Sequence, residues 1–176
     1  MIHKRINLKD KIFDVPDFPQ KGIIFRDLTP LLLNPKYFAE AIRQMMAKIK
    51  NLKIDVVLGI DSRGFIFGPI IARELKIGFV PVRKVNKLLP RKTVAQEYKL
   101  EYGVDGVKIQ ADSIKPGQKV LIVDDLIATG GTALATAKLV EKLRGKVVAL
   151  LFLNELTYLK PREKLKRYKV ISLIKF

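Results

Sequence analysis

Residues 120–132 read VLIVDDLIATGGT. Val120, Leu121, Ile122 and Val123 form an unbroken apolar run, the pattern of a strand covered on both faces as in a parallel sheet. Two carboxylates, Asp124 and Asp125, end the run. A loop of small residues follows, Ala128, Thr129, Gly130, Gly131 and Thr132, and a helical pattern then covers residues 132–143. A buried strand feeding a tight turn and a helix is the repeating unit of an α/β protein. The same rhythm recurs along the chain. Residues 54–60 read as a buried strand, DSRG at 61–64 opens an apolar helix to residue 75, and residues 78–82 and 147–153 are strand-sized runs. Alternation of this kind predicts an α/β fold with a parallel sheet and helices on both faces. Ligands bind at the carboxyl ends of strands in such sheets. The loops after residues 60, 82 and 123 lie at that edge.

The remaining segments complete a single domain over residues 1–176, with no internal repeat and no linker. Residues 1–34 are irregular apart from a short helical stretch near 8–13. Asn34 is a helix cap and Pro35 a first-turn proline. Tyr37, Ala41, Met45 and Ile49 then share one helical face, flanked by Phe38, Ile42 and Met46. The methionines read as core filler. Residues 84–97 are polar and basic and read as a mobile loop rather than a core element. Residues 107–110 can add a strand.

Composition excludes several chemistries. Cysteine is absent and His3 is the single histidine, so zinc sites and histidine-based triads are excluded. The lack of cysteine suits a reducing cytoplasm, where we expect the protein to reside. No apolar stretch approaches a membrane span, and the N-terminal residues lack the apolar core of a signal peptide. The chain has neither G-x-x-x-x-G-K-[ST] nor G-x-G-x-x-G, which removes the nucleoside-triphosphatase and dinucleotide readings. The 34 Lys plus Arg against 17 Asp plus Glu give a net charge of +17. Such a field attracts polyanions. The basic residues are scattered, with a modest cluster at 160–169, and no nucleic-acid-binding signature accompanies them. A small polyanionic substrate is favoured over nucleic acid.

Backbone N–H groups at a helix start, with hydroxyls beside them, make a phosphate cradle. Carboxylates repel phosphate but can hold ribose hydroxyls or a metal. The segment at 120–132 therefore suggests a sugar-phosphate site, with hydroxyls at Asp124 and Asp125 and the 5′-phosphate at Ala128, Thr129, Gly130, Gly131 and Thr132. Ser62 and Arg63 sit at a strand-to-helix turn that can grip an anion. Arg83 and Lys84 follow a strand directly and can reach the same charge. Arg63 can equally be a surface ion-pair partner.

The 120–132 segment resembles the phosphoribosyl-diphosphate (PRPP) motif of the type I phosphoribosyltransferases. DFP at 17–19, GIIFRDLTP at 22–30, DSRGF at 61–65, VRK at 82–84, YKLEYG at 98–103 and ELTYLKPREKL at 155–165 resemble, in order, blocks of the adenine-specific branch of that family. The resemblance implies purine salvage, adenine plus PRPP giving AMP plus diphosphate. It implies Mg²⁺ as cofactor, held mainly through PRPP with no direct protein ligand. It places the diphosphate at Ser62, Arg63, Arg83 and Lys84, with an unusual cis peptide near Asp61 and Ser62. It places adenine against Phe25, with backbone groups of Ile24 and Arg26 reading the base edge, and it makes residues 1–34 a small hood. Glu101 becomes the catalytic group, exchanging a proton near adenine N7. The partners implied are the two small substrates and a second copy of the chain in a homodimer. In place of the family's G-K-L-P-x-x-T, residues 86–93 read NKLLPRKT, without the glycine and with an insertion. Two rival readings stand beside this one: a 6-oxopurine phosphoribosyltransferase, and a PRPP-responsive regulator that binds nucleic acid.

Overall fold

In the computed structural model, which describes residues 6–99 and 104–176, a single 3-10 turn at Lys9–Lys11, within the stretch expected to be helical, precedes a small antiparallel hairpin. Strand β1 (Phe13–Val15) pairs with β2 (Phe25–Asp27), aligning Asp14 with Arg26 and Val15 with Phe25. Between them the Phe18–Pro19 peptide is cis, and Asp17 accepts a 2.7 Å hydrogen bond from the Gly22 N–H. The carboxylate of Asp27 accepts from the N–H and hydroxyl of Thr29 at 2.9 and 2.6 Å, which starts helix α1 (Thr29–Leu33). Helix α2 (Pro35–Ile49) follows at once. Asn34 caps it by accepting from the N–H groups of Lys36 and Tyr37. Ala41, Met45 and Ile49 are buried along one face, as the helical spacing predicts. The contact pattern divides the chain into two compact units, the first ending at Ala47 and the second being Lys48–Phe176. The first unit thus runs past residue 34, the expected limit of the N-terminal segment.

The second unit is built on a seven-stranded sheet. Strand β3 (Val56–Ile60) leads into α3 (Gly64–Leu75) and then β4 (Gly78–Lys84). An antiparallel pair follows, β5 (Thr93–Lys99) and β6 (Val104–Gln110). Strand β7 (Lys119–Ile127), helix α4 (Gly131–Lys142), β8 (Lys146–Glu155), the short α5 (Pro161–Lys164) and β9 (Val170–Lys175) complete it. The order across the sheet is β5-β6-β4-β3-β7-β8-β9, with the pairs from β4 through β9 parallel.

The crossovers β3-α3-β4 and β7-α4-β8 run in opposite directions along the sheet. Right-handed connections therefore put the two helices on opposite faces. Side-chain alternation agrees. Leu58, Ile60, Ile122, Leu150 and Phe152 pack with Ala133, Ala137, Leu139 and Val140 of α4 in one buried cluster. The alternate positions, Val57, Leu121 and Leu151, are equally buried and belong to the opposite face, where Gly59 meets the start of α3.

Four expectations change. Residues 93–99 are strand β5, so the segment read as an irregular loop over 84–97 is regular in its second half. The sheet is mixed, because β5 and β6 add an antiparallel edge. Strand β7 runs through both aspartates to Ile127 instead of stopping at Val123. Strand β9 is an additional element, registered on β8 from Val170 opposite Leu150.

Candidate active site

The direction of the crossovers reverses between β3 and β7, and the carboxyl ends of these strands form the crevice where α/β sheets bind ligands. The loop after β7 enters α4 through Gly130, whose φ of +80° is a left-handed conformation suited to glycine. A Cβ there would also come within 3.1 Å of the Pro161 carbonyl. The first turn of α4 begins with the Leu134 N–H donating to the Gly130 carbonyl at 2.9 Å. Ala128, Thr129, Gly130, Gly131 and Thr132 line one cavity of about 120 Å³, together with Asp124, Leu126 and Phe152. The structure thus brings together all five residues expected to hold the 5′-phosphate, at a helix start whose leading N–H groups have no intrahelical acceptor.

The two aspartates face different neighbours. Asp125 is 4% exposed and meets Arg63 Nε at 2.9 Å. Asp124 lines the cavity, and its Oδ1 accepts from the Asp125 N–H at 2.9 Å. Helix α3 approaches closely here: a Cβ on Gly64 would lie 2.8 Å from the Val123 carbonyl and 3.1 Å from Asp124 Oδ1. Burial pushes the Asp124 carboxyl well above the ordinary carboxylate range, and the neighbouring charge of Asp125 adds to the effect. Burial also raises Asp125, against the opposing pull of Arg63.

The anion-gripping turn is centred on a cis peptide between Asp61 and Ser62, where the family resemblance puts one. Ser62 is exposed, and Arg83 Nη1 stands 3.2 Å from Asp61 Oδ2. Arg63 and Arg83 are therefore both tethered by carboxylates at this edge. Lys84 is not with them. Adjacent side chains on a strand take opposite faces. Lys84 turns away to an ion pair with Asp105 and donates to the Tyr98 hydroxyl at 2.8 Å. Tyr98 in turn bonds Asp105 Oδ2 and Thr132 Oγ1, each at 2.8 Å. Burial opposes both charges of the Lys84–Asp105 pair. The hydrogen bonds outweigh it, raising Lys84 and lowering Asp105.

Tyr98 and Asp105, which the structure brings to Thr132 and Lys84, were not singled out from the sequence. Both lay within reach of a sequence argument, since Tyr98 opens the YKLEYG block and stands directly opposite Asp105 in the β5–β6 register. The residues expected to hold adenine lie in the first unit. Phe25 is half-buried against Phe18, edge to face at 5.3 Å, Arg26 is ion-paired with Asp14, and Ile24 is 42% exposed. Glu101 lies outside the described residues.

Comparison with known proteins joins these features. The phosphoribosyl transferase domain model matches residues 31–175. A Thermotoga maritima relative, adenine phosphoribosyltransferase, is 55% identical over 97% of this chain and 98% of its own. The chain belongs to the adenine phosphoribosyltransferases. Solved structures agree. The enzyme of that name from Thermoanaerobacter pseudethanolicus superposes with a TM-score of 0.93 at 50% identity, covering 96% of this chain and 98% of the other. The Saccharomyces cerevisiae enzyme, crystallised with an imino-altritol bisphosphate and adenine, gives 0.86 at 42% identity, covering 93% and 94%. Membership of this family leaves the 6-oxopurine and regulator readings unfavoured.

Proposed function

We propose that the protein transfers the phosphoribosyl group of PRPP to N9 of adenine, releasing diphosphate and forming AMP. The observation that carries this reading is the cavity at the start of α4, lined by the whole ATGGT loop with Asp124 at its edge, in a chain of this family. The loop N–H groups and the Thr129 and Thr132 hydroxyls hold the 5′-phosphate. Asp124 takes ribose hydroxyls. Asp125, through its pair with Arg63, fixes the guanidinium beside the diphosphate.

As the C1–O bond breaks, its electron pair leaves with the diphosphate and positive charge grows at C1. Arg63, Arg83 and the Ser62 turn stabilise the departing charge, while Asp124 and Asp125 stabilise the cationic ribose. N9 of adenine bonds to C1, and Glu101 accepts the proton that the base must lose at N7. Phe25 stacks on adenine, and backbone groups of Ile24 and Arg26 read its edge. The segment 85–92 closes over the reactants to exclude water, whose attack on PRPP is the competing reaction.

In this reading Mg²⁺ is brought in on PRPP and held mainly through it. Mg²⁺ supplies charge neutralisation on the diphosphate when bound. Lys84, engaged with Asp105 and Tyr98, belongs to the phosphate side of the site in this reading. Helix α3 carries Phe65 and Ile66 half-buried, and we assign it to a symmetric homodimer contact. Among the described residues no helix is long and apolar enough to cross a membrane, and a chain without cysteine fits the cytoplasm.

The test is chromatographic detection of AMP from adenine, PRPP and Mg²⁺, with hypoxanthine and guanine in parallel. AMP from adenine alone is expected. Equal or faster turnover of hypoxanthine would move the assignment to the 6-oxopurine enzymes, and no nucleotide from any base would remove it.

A further inference from the structure

We propose that Tyr98 is a positioning residue for the 5′-phosphate, acting through the hydroxyl of Thr132. The inference rests on reading the ATGGT loop as the phosphate site.

Three polar groups meet around one phenol. Lys84 Nζ donates to Tyr98 Oη and to Asp105; Tyr98 Oη lies 2.8 Å from Asp105 Oδ2 and 2.8 Å from Thr132 Oγ1. The arrangement is half-buried and enters the back of the phosphate loop. The ring of Tyr98 lies against Gly131, where an added Cβ would be 3.3 Å from Cδ2. Asp105 also accepts from the Gly106 N–H at 2.7 Å.

Counting protons shows what this network does. Asp105 is ionised and can only accept, and the ammonium of Lys84 can only donate. Each hydroxyl has one proton. With no anion in the loop, Tyr98 donates to Asp105 and Thr132 donates to Tyr98, so every group is satisfied. A phosphate on the loop offers only acceptors. Thr132 then turns its proton to the phosphate, Tyr98 turns its own to Thr132, and Asp105 keeps the donors Lys84 and Gly106. Both arrangements are complete, and they interconvert by rotating two hydroxyls with no bond made or broken. In the second, the phenol backs Thr132 with a donor, and hydrogen bonds in a chain strengthen one another. With phosphate bound, the Tyr98 proton thus holds the Thr132 hydroxyl in the orientation that donates to the phosphate.

The test compares Tyr98→Phe, Thr132→Val and the double variant of the full chain by calorimetric titration with AMP, ribose 5-phosphate and adenine. Tyr98→Phe removes one oxygen from a side chain whose ring stays packed. It should weaken AMP and ribose 5-phosphate about 3- to 10-fold, the range for one net hydrogen bond, and leave adenine unchanged. Thr132→Val should weaken the same two ligands, and the double variant should be no weaker than Thr132→Val alone. In turnover, Tyr98→Phe should raise KM for PRPP with little change in kcat. Multiplying effects in the double variant, or equal loss of adenine affinity, would show that Tyr98 acts by general packing and overturn the inference. Unchanged AMP binding in Tyr98→Phe but not in Thr132→Val would overturn it while sparing the phosphate loop. Unchanged binding in both would remove the loop assignment as well.

Discussion

Asp124 is a carboxylate placed where burial and a neighbouring charge both oppose its ionisation. A carboxyl whose folded pKa is raised contributes stability that is fully present below its ordinary value of 3.8 and is lost as pH rises through the folded value. At neutral pH the ionised side chain therefore costs stability, a cost that ribose hydroxyls and a cationic C1 would offset during turnover. Asp124→Asn keeps an oxygen to accept from the Asp125 N–H and removes the charge. The variant should be more stable than the parent at neutral pH by about 1 kcal/mol, or about 2–4 °C in Tm for a chain of this size. The gain should shrink towards pH 4. Scanning calorimetry at acid and neutral pH measures it; a destabilised Asp124→Asn at pH 7.5 would contradict the electrostatic account. PRPP binding should fall in the same variant. The sequence placed Asp124 beside the small-residue loop, and it lines the cavity there. Its separation from Asp125 was not legible in the sequence, because only the approach of α3 and the Arg63 pair assigns the two carboxylates different neighbours.

At the scale of elements, period and apolar runs located β3, α3, β4, α4 and β8 to within a few residues, because each buries a face against the sheet. The misses have physical causes. Residues 93–99 contain a period-two pattern, with Val94 and Tyr98 packed inward and Ala95 and Glu97 exposed, but their polarity is that of an edge strand. The charges of Asp124 and Asp125 imitate a strand end, yet pairing of β7 with β8 continues to Ile127 opposite Glu155. Strand β9 was hidden behind the basic stretch before it. That stretch contains a specific tie. Arg162 donates from Nε and Nη2 to the two oxygens of Glu155, both at 2.8 Å, and from Nη1 to the Val170 carbonyl at 3.1 Å. Ser172 also donates to Glu155, and α5 carries Pro161 against Gly130 of the phosphate loop. The Glu155 side chain is 2% exposed but Arg162 is 47% exposed, so removing the guanidinium would readmit water to the carboxylate. Arg162→Ala should accordingly cost roughly 1–3 kcal/mol, toward the lower end for so exposed a partner. The hydrogen bonds from Arg162, chiefly, hold Glu155 below its ordinary 4.5. Stability from such a depressed carboxyl is present above that value and lost as pH falls through the folded one. Urea titrations should therefore show the deficit of Arg162→Ala at pH 7 narrowing below pH 4.5; a deficit independent of pH would assign the loss to packing instead.

For the whole molecule, the net charge of +17 suggests electrostatic capture of PRPP, and the fold decides which cations can contribute. At about 0.15 M ionic strength the Debye length is about 8 Å, so charges far from the site are screened. Among the loop cations Lys87, Arg91 and Lys92, Arg91 is already paired with Asp112, which leaves Lys87 and Lys92 exposed as the stronger candidates. Lys164, in the basic cluster at 160–169, lines a depression together with Tyr98 and Gly131 and is a poor control. Lys115 and Lys146 serve better. Both are exposed, and Lys146 opens β8 at the amino end of the sheet, opposite the phosphate loop. Neutralising Lys87 and Lys92 with glutamine should lower kcat/KM for PRPP several-fold at low salt and flatten its decline as salt rises, since steered encounter is salt-dependent. Neutralising Lys115 and Lys146 should change neither by as much. The measurement is kcat/KM for PRPP across about 20–300 mM salt, a range over which the Debye length shortens by more than half. Equal losses in the two double variants would mean that net charge acts without regard to position, and a salt slope untouched in Lys87→Gln/Lys92→Gln would remove those lysines from the encounter.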